Sequence, residues 1–349
     1  MTNPYRNLPN ENFWSRSVAK MQPVEVDPVS SVPFTIDKFD KIATAGSCFA
    51  QHIARTLSKN GFGYLVTEPG AIEENYGLFP ARFGNVYTTR QMLQLFQRAY
   101  GLFHPTDDAW NGSNGAWVDP FRPQIEKDGF TSIEALRADR VKSLAATRAM
   151  FEQADVFIFT LGLTESWRSK HDGAVVPLAP GVAGTPADPA DYEFHNADVF
   201  SMIEDMRSLI SNMRVINPEM RVILTVSPVP LIATYEKQHV LPATIYSKSA
   251  LRVVAETISK EIRDVAYFPS YEIITGHHAG YGYFDTDLRS VLPDGVAQVM
   301  GIFSRHYLSE NRPHDIKGSP PLAKKQNAEV VLANLDHIVC DEEAIEASL

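Results

Sequence analysis

Residues 42–61 read IATAGSCFAQHIARTLSKNG, and the hydrophobic pattern changes within them. The first four residues form a short apolar run, as in a buried strand. Phe49, Ile53 and Leu57 then recur at the i, i+4, i+8 spacing of an amphipathic helix. Gly-Ser-Cys separates the two patterns. The stretch therefore predicts a strand, a tight turn and a helix, which is the beginning of an α/β fold.

The same alternation continues along the chain. We predict further strands at 63–68, 155–162, 221–228 and 265–273, and helices at 88–100, 202–213 and 250–262. Alternating strands and helices predict a three-layer αβα sandwich with a mainly parallel central sheet. Ligands of such sheets bind beyond the carboxyl ends of the strands, so the residues there are the first functional candidates.

The chain has 349 residues, of which 44% are hydrophobic, enough for a full core. We divide it into an N-terminal arm at 1–38 packed on the core, a main domain at 39–312 and a C-terminal tail at 313–349. Residues 101–130 and 169–198 are interpreted as loops that cover the domain. The tail has an apolar periodicity and an acidic end, which predict an amphipathic helix.

Composition also excludes several classes of protein. The net charge of -10 argues against duplex nucleic acid or an anionic membrane as the main partner. No run approaches the ~20 apolar residues of a membrane span, and the N-terminus lacks the apolar core of a secretion signal. Only two cysteines are present, Cys48 and Cys340. We expect a cytoplasmic protein without a disulfide framework.

Ser47 lies between the first strand and its helix, where backbone N–H groups and the helix dipole favour negative charge. Such a position would stabilise an alkoxide or a tetrahedral oxyanion. Gly84 and the Gly162/Thr164 pair are expected at the same edge as donors to that oxyanion. The alternatives are structural: Ser47 as a helix N-cap, Gly84 as a turn glycine and Thr164 as a helix cap.

Five motifs carry a resemblance to a known family. They are GSCFA (46–50), TLGLTESW (160–167), LTVSPVPL (224–231), YSKSALR (246–252) and YFPSYE (267–272). In this order they closely resemble the GSCFA family, which looks like a branch of the SGNH or GDSL hydrolases. The resemblance implies a flavodoxin-like, SGNH-type fold. It also implies a serine acyl esterase or O-acyltransferase that acts on an acylated sugar or glycan.

The resemblance assigns roles residue by residue. Ser47 matches the nucleophile, although aligning Gly46 with the glycine of the wider superfamily's Gly-Asp-Ser motif puts Cys48 in that position instead. The wider superfamily has four conserved blocks, and Gly84 matches the glycine donor of the second. The third block falls on Gly162 to Glu165, with Thr164 in place of asparagine.

The fourth block departs from the superfamily pattern Asp-x-x-His. Asp287 matches its aspartate, but Ser290 stands where the histidine is expected, and serine cannot accept a proton as imidazole does. His239, His195 and His278 are the candidate replacement bases.

Two other interpretations stay open. A Cys48 thiolate at a helix N-terminus needs less help from a base, so it is an alternative nucleophile. Alternatively, the fold is catalytically degenerate and binds a ligand, a second copy or another partner through its loops and C-terminal helix. No P-loop, GxGxxG or zinc-site spacing is found, and we expect no cofactor and no metal.

Overall fold

The computed structural model describes residues 3–71, 74–309 and 341–349. The helices are α1 (Trp14–Ser17), α2 (Cys48–Lys59), α3 (Thr89–Ala99), α4 (Ile133–Gln153), α5 (Val199–Ile216), α6 (Val240–Glu261), α7 (Ser270–Thr275), α8 (Pro293–Tyr307) and α9 (Glu343–Ala347). The strands are β1 (Ile36–Asp37), β2 (Ile42–Gly46), β3 (Trp110–Asn111), β4 (Trp117–Val118), β5 (Val156–Leu161), β6 (Glu165–Ser169), β7 (Val175–Val176), β8 (Tyr192–Asn196), β9 (Arg221–Val226), β10 (Val265–Phe268) and β11 (Leu308–Ser309).

The central sheet has the order β10-β9-β5-β2, and all its neighbouring strands are parallel. Both of its faces are covered by helices. Val156 and Ile158 of β5 pack in the hydrophobic cluster that includes α2 and α8. Phe157 and Phe159 pack in the opposite cluster, which includes α3, α4, α5 and α6. This arrangement confirms the predicted three-layer αβα sandwich and explains why β5 is apolar throughout.

The strand predicted at 63–68 is wrong in extent. This segment makes one parallel bridge, between Tyr64 and Ile42, on the outer side of β2. Both the N–H and the hydroxyl of Thr67 donate to the Pro80 carbonyl, which draws the chain away from the sheet. A full edge strand is therefore reduced to one bridge.

The strand predicted at 265–273 is also too long. β10 ends at Phe268, and α7 begins at Ser270. Pro269 lies between them and has no N–H to continue the ladder, which explains the change from strand to helix.

The two predicted covering loops contain short strands. Residues 101–130 include the antiparallel pair β3 and β4, and residues 169–198 supply β7 and β8, which flank β6 in a three-stranded sheet. Trp110 is buried there and packs edge-on against Tyr192. In the described part of the chain, no helix has both the length and the apolar character of a membrane span.

The N-terminal segment contacts α8 through charged groups. Arg305 and His306 of α8 both lie within hydrogen-bond distance of the Asp27 carboxylate, at 2.6 and 2.8 Å. At the other end of the chain, the predicted tail helix falls largely on residues 310–340, which lie outside the described residues, as does Cys340. The final residues, 341–349, contain α9.

Candidate active site

A loop at residues 84–87 joins the carboxyl ends of β2 and β5. Val86 N–H donates to Gly46 O at 2.9 Å. Tyr87 O accepts from the amides of Gly162 and Leu163 at 2.9 and 3.1 Å. These bonds bring the segments that contain Ser47, Gly84 and Gly162 to one edge of the sheet, as the strand order predicts.

Gly46 occupies a position that only glycine fits. Its φ is +141°, and a Cβ added there would lie 2.6 Å from the carbonyl oxygen of Thr160 and 2.7 Å from its Cβ. The side that would clash is the backbone of the neighbouring strand β5, which cannot move without disturbing the sheet. The glycine therefore allows the close strand packing from which the turn to Ser47 begins.

Ser47 is the N-cap residue of α2, yet its side chain makes no capping hydrogen bond. The residue is only 4% exposed, and its Oγ has no hydrogen-bond partner among the described residues. Buried hydroxyls are usually bonded, and within the described residues Ser47 shares this unbonded state with Ser58, Thr160 and Thr164. Cys48 is the first residue of α2, and its side chain lies outside what the structure describes. The turn thus holds an unpaired hydroxyl at the positive end of a helix.

Thr164 follows β5 and is fully buried. Its N–H donates to Ser247 Oγ at 3.2 Å, so this amide is already engaged. Its Oγ1, like that of Ser47, has no partner within the described residues. Thr164 therefore offers a hydroxyl, and not its amide, as a donor.

Gly84 has φ +74°, and the nearest atom to an added Cβ is 3.9 Å away, so conformation and not space requires glycine. Glu165 lies half-buried, and its carboxylate accepts from the Thr234 hydroxyl at 2.6 Å and from Tyr235 N–H at 3.3 Å. Burial raises the pKa of Glu165. Glu165 thus holds Thr234 and Tyr235, in the segment after β9, in place.

The three candidate bases lie in different surroundings. His239 is the N-cap of α6, and its Nδ1 accepts from Leu241 N–H at 3.1 Å. His195 is on β8, where burial and the nearby Arg168 lower its pKa. Burial also lowers the pKa of His278. No described histidine forms a hydrogen bond with Ser47 Oγ.

Asp287 closes the turn that precedes α8. Its carboxylate accepts from the Ser290 hydroxyl at 2.6 Å and from the amides of Arg289 and Ser290, each at 2.9 Å. These bonds, the Ser290 hydroxyl foremost, lower the pKa of Asp287. In the described residues the aspartate is thus paired with Ser290, where the superfamily pattern would have a histidine.

Two acidic residues that sequence reasoning did not select are buried at this edge. Asp341 is 3% exposed; its N–H donates to Tyr87 Oη at 3.1 Å, and its carboxylate accepts from the Asn85 side chain. Burial raises the pKa of Asp341 to about 7. Glu342 is 6% exposed and forms an ion pair with Arg289 at 3.2 Å. The sequence signal for these two residues is the acidic end of the tail, which lies beyond the last of the five motifs.

A small cavity of about 20 Å³ lies beside the 84–87 loop, lined in part by Gln51, Gly84, Asn85 and Asp341. Its size suits a single water molecule. Within residues 3–71, 74–309 and 341–349, no cluster of three or more His, Cys, Asp or Glu side chains is placed to hold a metal ion.

The chain was compared with known proteins. The model of the GSCFA family matches residues 41–303, which is about three quarters of the chain. A comparison with curated proteins gives no match. The matched range begins just before β2 and ends within α8, so it contains the central sheet and the turn that carries Ser47. The chain therefore belongs to the GSCFA family.

Proposed function

We propose that the protein is an acyl-transfer enzyme, an ester hydrolase or O-acyltransferase, with Ser47 as its nucleophile. The observation that carries the proposal is the buried Ser47 Oγ, which has no partner among the described residues although it occupies a capping position. A hydroxyl that served only to cap the helix would accept from an amide of the first turn. An unpaired hydroxyl is instead available to a substrate or to a base.

In the proposed reaction, Ser47 Oγ attacks the ester carbonyl while a base removes its proton. The carbonyl oxygen becomes an oxyanion, and the tetrahedral intermediate expels the alcohol to leave an acyl-serine. Water then releases the acid, or a second hydroxyl accepts the acyl group. The first-turn amides of α2 and the Thr164 hydroxyl are the proposed oxyanion donors.

The proposed base is one of His239, His195 and His278. Burial lowers the pKa of His195 and of His278, which favours the neutral imidazole, the form that accepts a proton. His→Gln variants of the three residues separate them: the variant of the true base loses turnover, and the other two retain it.

A sugar or glycan ester is the proposed substrate class on the strength of the family resemblance. An aromatic group at the end of the TLGLTESW motif supports it. Trp167 and Phe194 both contact Tyr235, with ring centroids 4.9 and 5.4 Å apart, and Tyr235 is 68% exposed. Exposed aromatic rings of this kind can stack on sugar faces. Trp110, by contrast, is buried and cannot do so.

The decisive experiment combines a fluorophosphonate probe with turnover of aryl acetates. The wild type is expected to be labelled and active, whereas Ser47→Ala loses both. Ser132→Ala is the matched control, because Ser132 is also an N-cap residue but lies at the start of α4. Absence of labelling and turnover across a broad ester panel would refute the proposal. Loss of activity in Cys48→Ala, with Ser47→Ala still active, would transfer the role to Cys48.

A further inference from the structure

One support of the 84–87 loop comes from the last described segment of the chain. The carbonyl oxygen of Asn85 accepts from Gln91 Nε2 of α3 at 3.0 Å, and its side chain donates to the Asp341 carboxylate. Asp341 N–H in turn donates to Tyr87 Oη at 3.1 Å. Asp341 lies beyond the range that the family model matches. A residue outside the family range therefore contacts this loop at two of its four positions.

Gly84 directly precedes Asn85, and its N–H makes no hydrogen bond to any described residue. Its φ is +74°, and an added Cβ would meet no atom closer than 3.9 Å, so close packing does not fix its conformation. Glycine is also the residue with the widest choice of backbone conformations. The direction of the Gly84 amide therefore depends on how its two neighbours are held. Phe83 is packed in the core, whereas Asn85 is held by hydrogen bonds.

Asp341 is close to Gly84 as well as to Asn85. Gly84 and Asp341 line the same small cavity of about 20 Å³. Asp341 is 3% exposed, and a buried carboxyl is costly to the folded state unless it is hydrogen-bonded. The bond from Asn85 offsets part of this cost, and the same bond fixes the residue next to Gly84.

We propose that Asp341 is a positioning residue: through the Asn85 side chain it anchors the 84–87 loop and so holds the Gly84 amide in the geometry that receives an oxyanion. The anchoring of the loop does not depend on what the protein does. Its consequence for turnover rests on the proposed function, with the Gly84 amide as a further oxyanion donor. The two statements are therefore tested separately.

The first test measures hydrogen exchange of the Val86 amide in the full-length protein. This amide is bound to Gly46 O, so its exchange reports opening of the loop. We expect Asp341→Ala to exchange about fivefold faster than the wild type, because the loop loses a hydrogen bond. Asp341→Asn keeps an oxygen that accepts from Asn85, and should exchange at nearly the wild-type rate. Glu346→Ala is the matched control, because Glu346 is exposed and lies in the same segment.

Equal exchange in the wild type and Asp341→Ala would overturn the anchoring. So would an Asp341→Asn variant that exchanges as fast as Asp341→Ala, since the hydrogen bond from Asn85 would then not be the cause. The amides of β9, in the middle of the central sheet, are the internal reference. If they accelerate by the same factor as Val86, the effect is global and the anchoring is overturned.

The second test is steady-state turnover of an aryl acetate. We expect Asp341→Ala to lower kcat about tenfold with KM unchanged, because the oxyanion forms only in the transition state. Asn85→Ala should have the same effect. The double variant Asn85→Ala/Asp341→Ala should be no slower than either single variant, since both remove one contact. Asp341→Asn should restore most of kcat, and Glu346→Ala should leave it unchanged.

The outcomes separate the two statements. Unchanged kcat in Asp341→Ala, or losses that add in the double variant, would overturn the positioning role. Faster exchange of Val86 together with wild-type kcat supports the anchoring and overturns its consequence for turnover. If the wild type turns over no ester, the proposed function fails together with that consequence, while the exchange measurement still decides whether Asp341 anchors the loop.

Discussion

Ser47→Ala and Ser132→Ala are the same substitution at the same helix position, yet we expect opposite effects on stability. Ser132 caps α4 by accepting from Ala135 N–H at 3.1 Å. Loss of such a cap costs about 1 kcal/mol. Ser47 caps nothing, and its Oγ is buried without a partner among the described residues.

The expected magnitude for Ser47 follows from the cost of an unpaired hydroxyl. A buried, unsatisfied polar group destabilises the folded state by about 1–3 kcal/mol. Alanine removes that group and loses little contact, since only one oxygen atom is deleted. We therefore expect the free energy of unfolding of Ser47→Ala to equal that of the wild type or to exceed it by up to about 2 kcal/mol.

Urea denaturation of the wild type and the two variants at pH 7 measures both effects. The reasoning requires Ser47→Ala to be at least as stable as the wild type while Ser132→Ala is less stable. If Ser47→Ala loses as much stability as Ser132→Ala, Ser47 is a structural cap and the main support for its catalytic role is gone.

Three further predictions concern stability. Gly46→Ala should lower the free energy of unfolding by about 4 kcal/mol in urea denaturation, because of the positive φ and the clash with Thr160. Gly101→Ala is the control: its φ is +66° but the space around it is open, so it should cost about 1 kcal/mol. Equal costs would contradict the argument that crowding against Thr160 adds to the strain. Burial, and to a smaller extent Arg55, lowers the pKa of His52 to about 4. As pH falls from 6.5 to 4, the imidazole therefore takes up a proton in the unfolded state before it does so in the folded state, and stability falls by up to about 3 kcal/mol. His52→Gln should lack this fall. Burial raises the pKa of Asp341 to about 7, so below that pH the folded state holds a proton that the unfolded state loses above about pH 4. The contribution of this carboxyl to stability therefore falls as pH rises from about 4 to 7, and a wild-type curve parallel to that of Asp341→Asn would refute this.

The central sheet was predictable because each of its strands is apolar over its buried length and is followed by a helical repeat. Val156 to Leu161 is the best example, since both faces of that strand are covered. Local pattern could not predict that Thr67 would bond to Pro80 and end a strand after one bridge. A contact of this kind depends on where a distant residue lies in the fold, and the spacing of hydrophobic residues along the chain does not give that position.

The candidate site was predictable only where it follows strands. The Ser47 turn and Thr164 come directly after β2 and β5, and their placement at one edge follows from parallel topology. Asp341 and Glu342 reach the same edge from the end of the chain, and no periodicity or spacing relates them to it. Their burial beside Asn85 and Arg289 is a tertiary contact that only coordinates reveal.

The turn before α8 has a different use from the one its motif suggested. Asp287 binds the Ser290 hydroxyl and two backbone amides, so the turn is closed on itself. Arg289, one of the two residues between Asp287 and Ser290, forms the ion pair with Glu342. A segment in which the superfamily pattern has a base thus supplies a cation here. Ser290 therefore closes this turn and supplies no base, so under the proposed function the base for Ser47 comes from another element, and His239, His195 and His278 are the candidates.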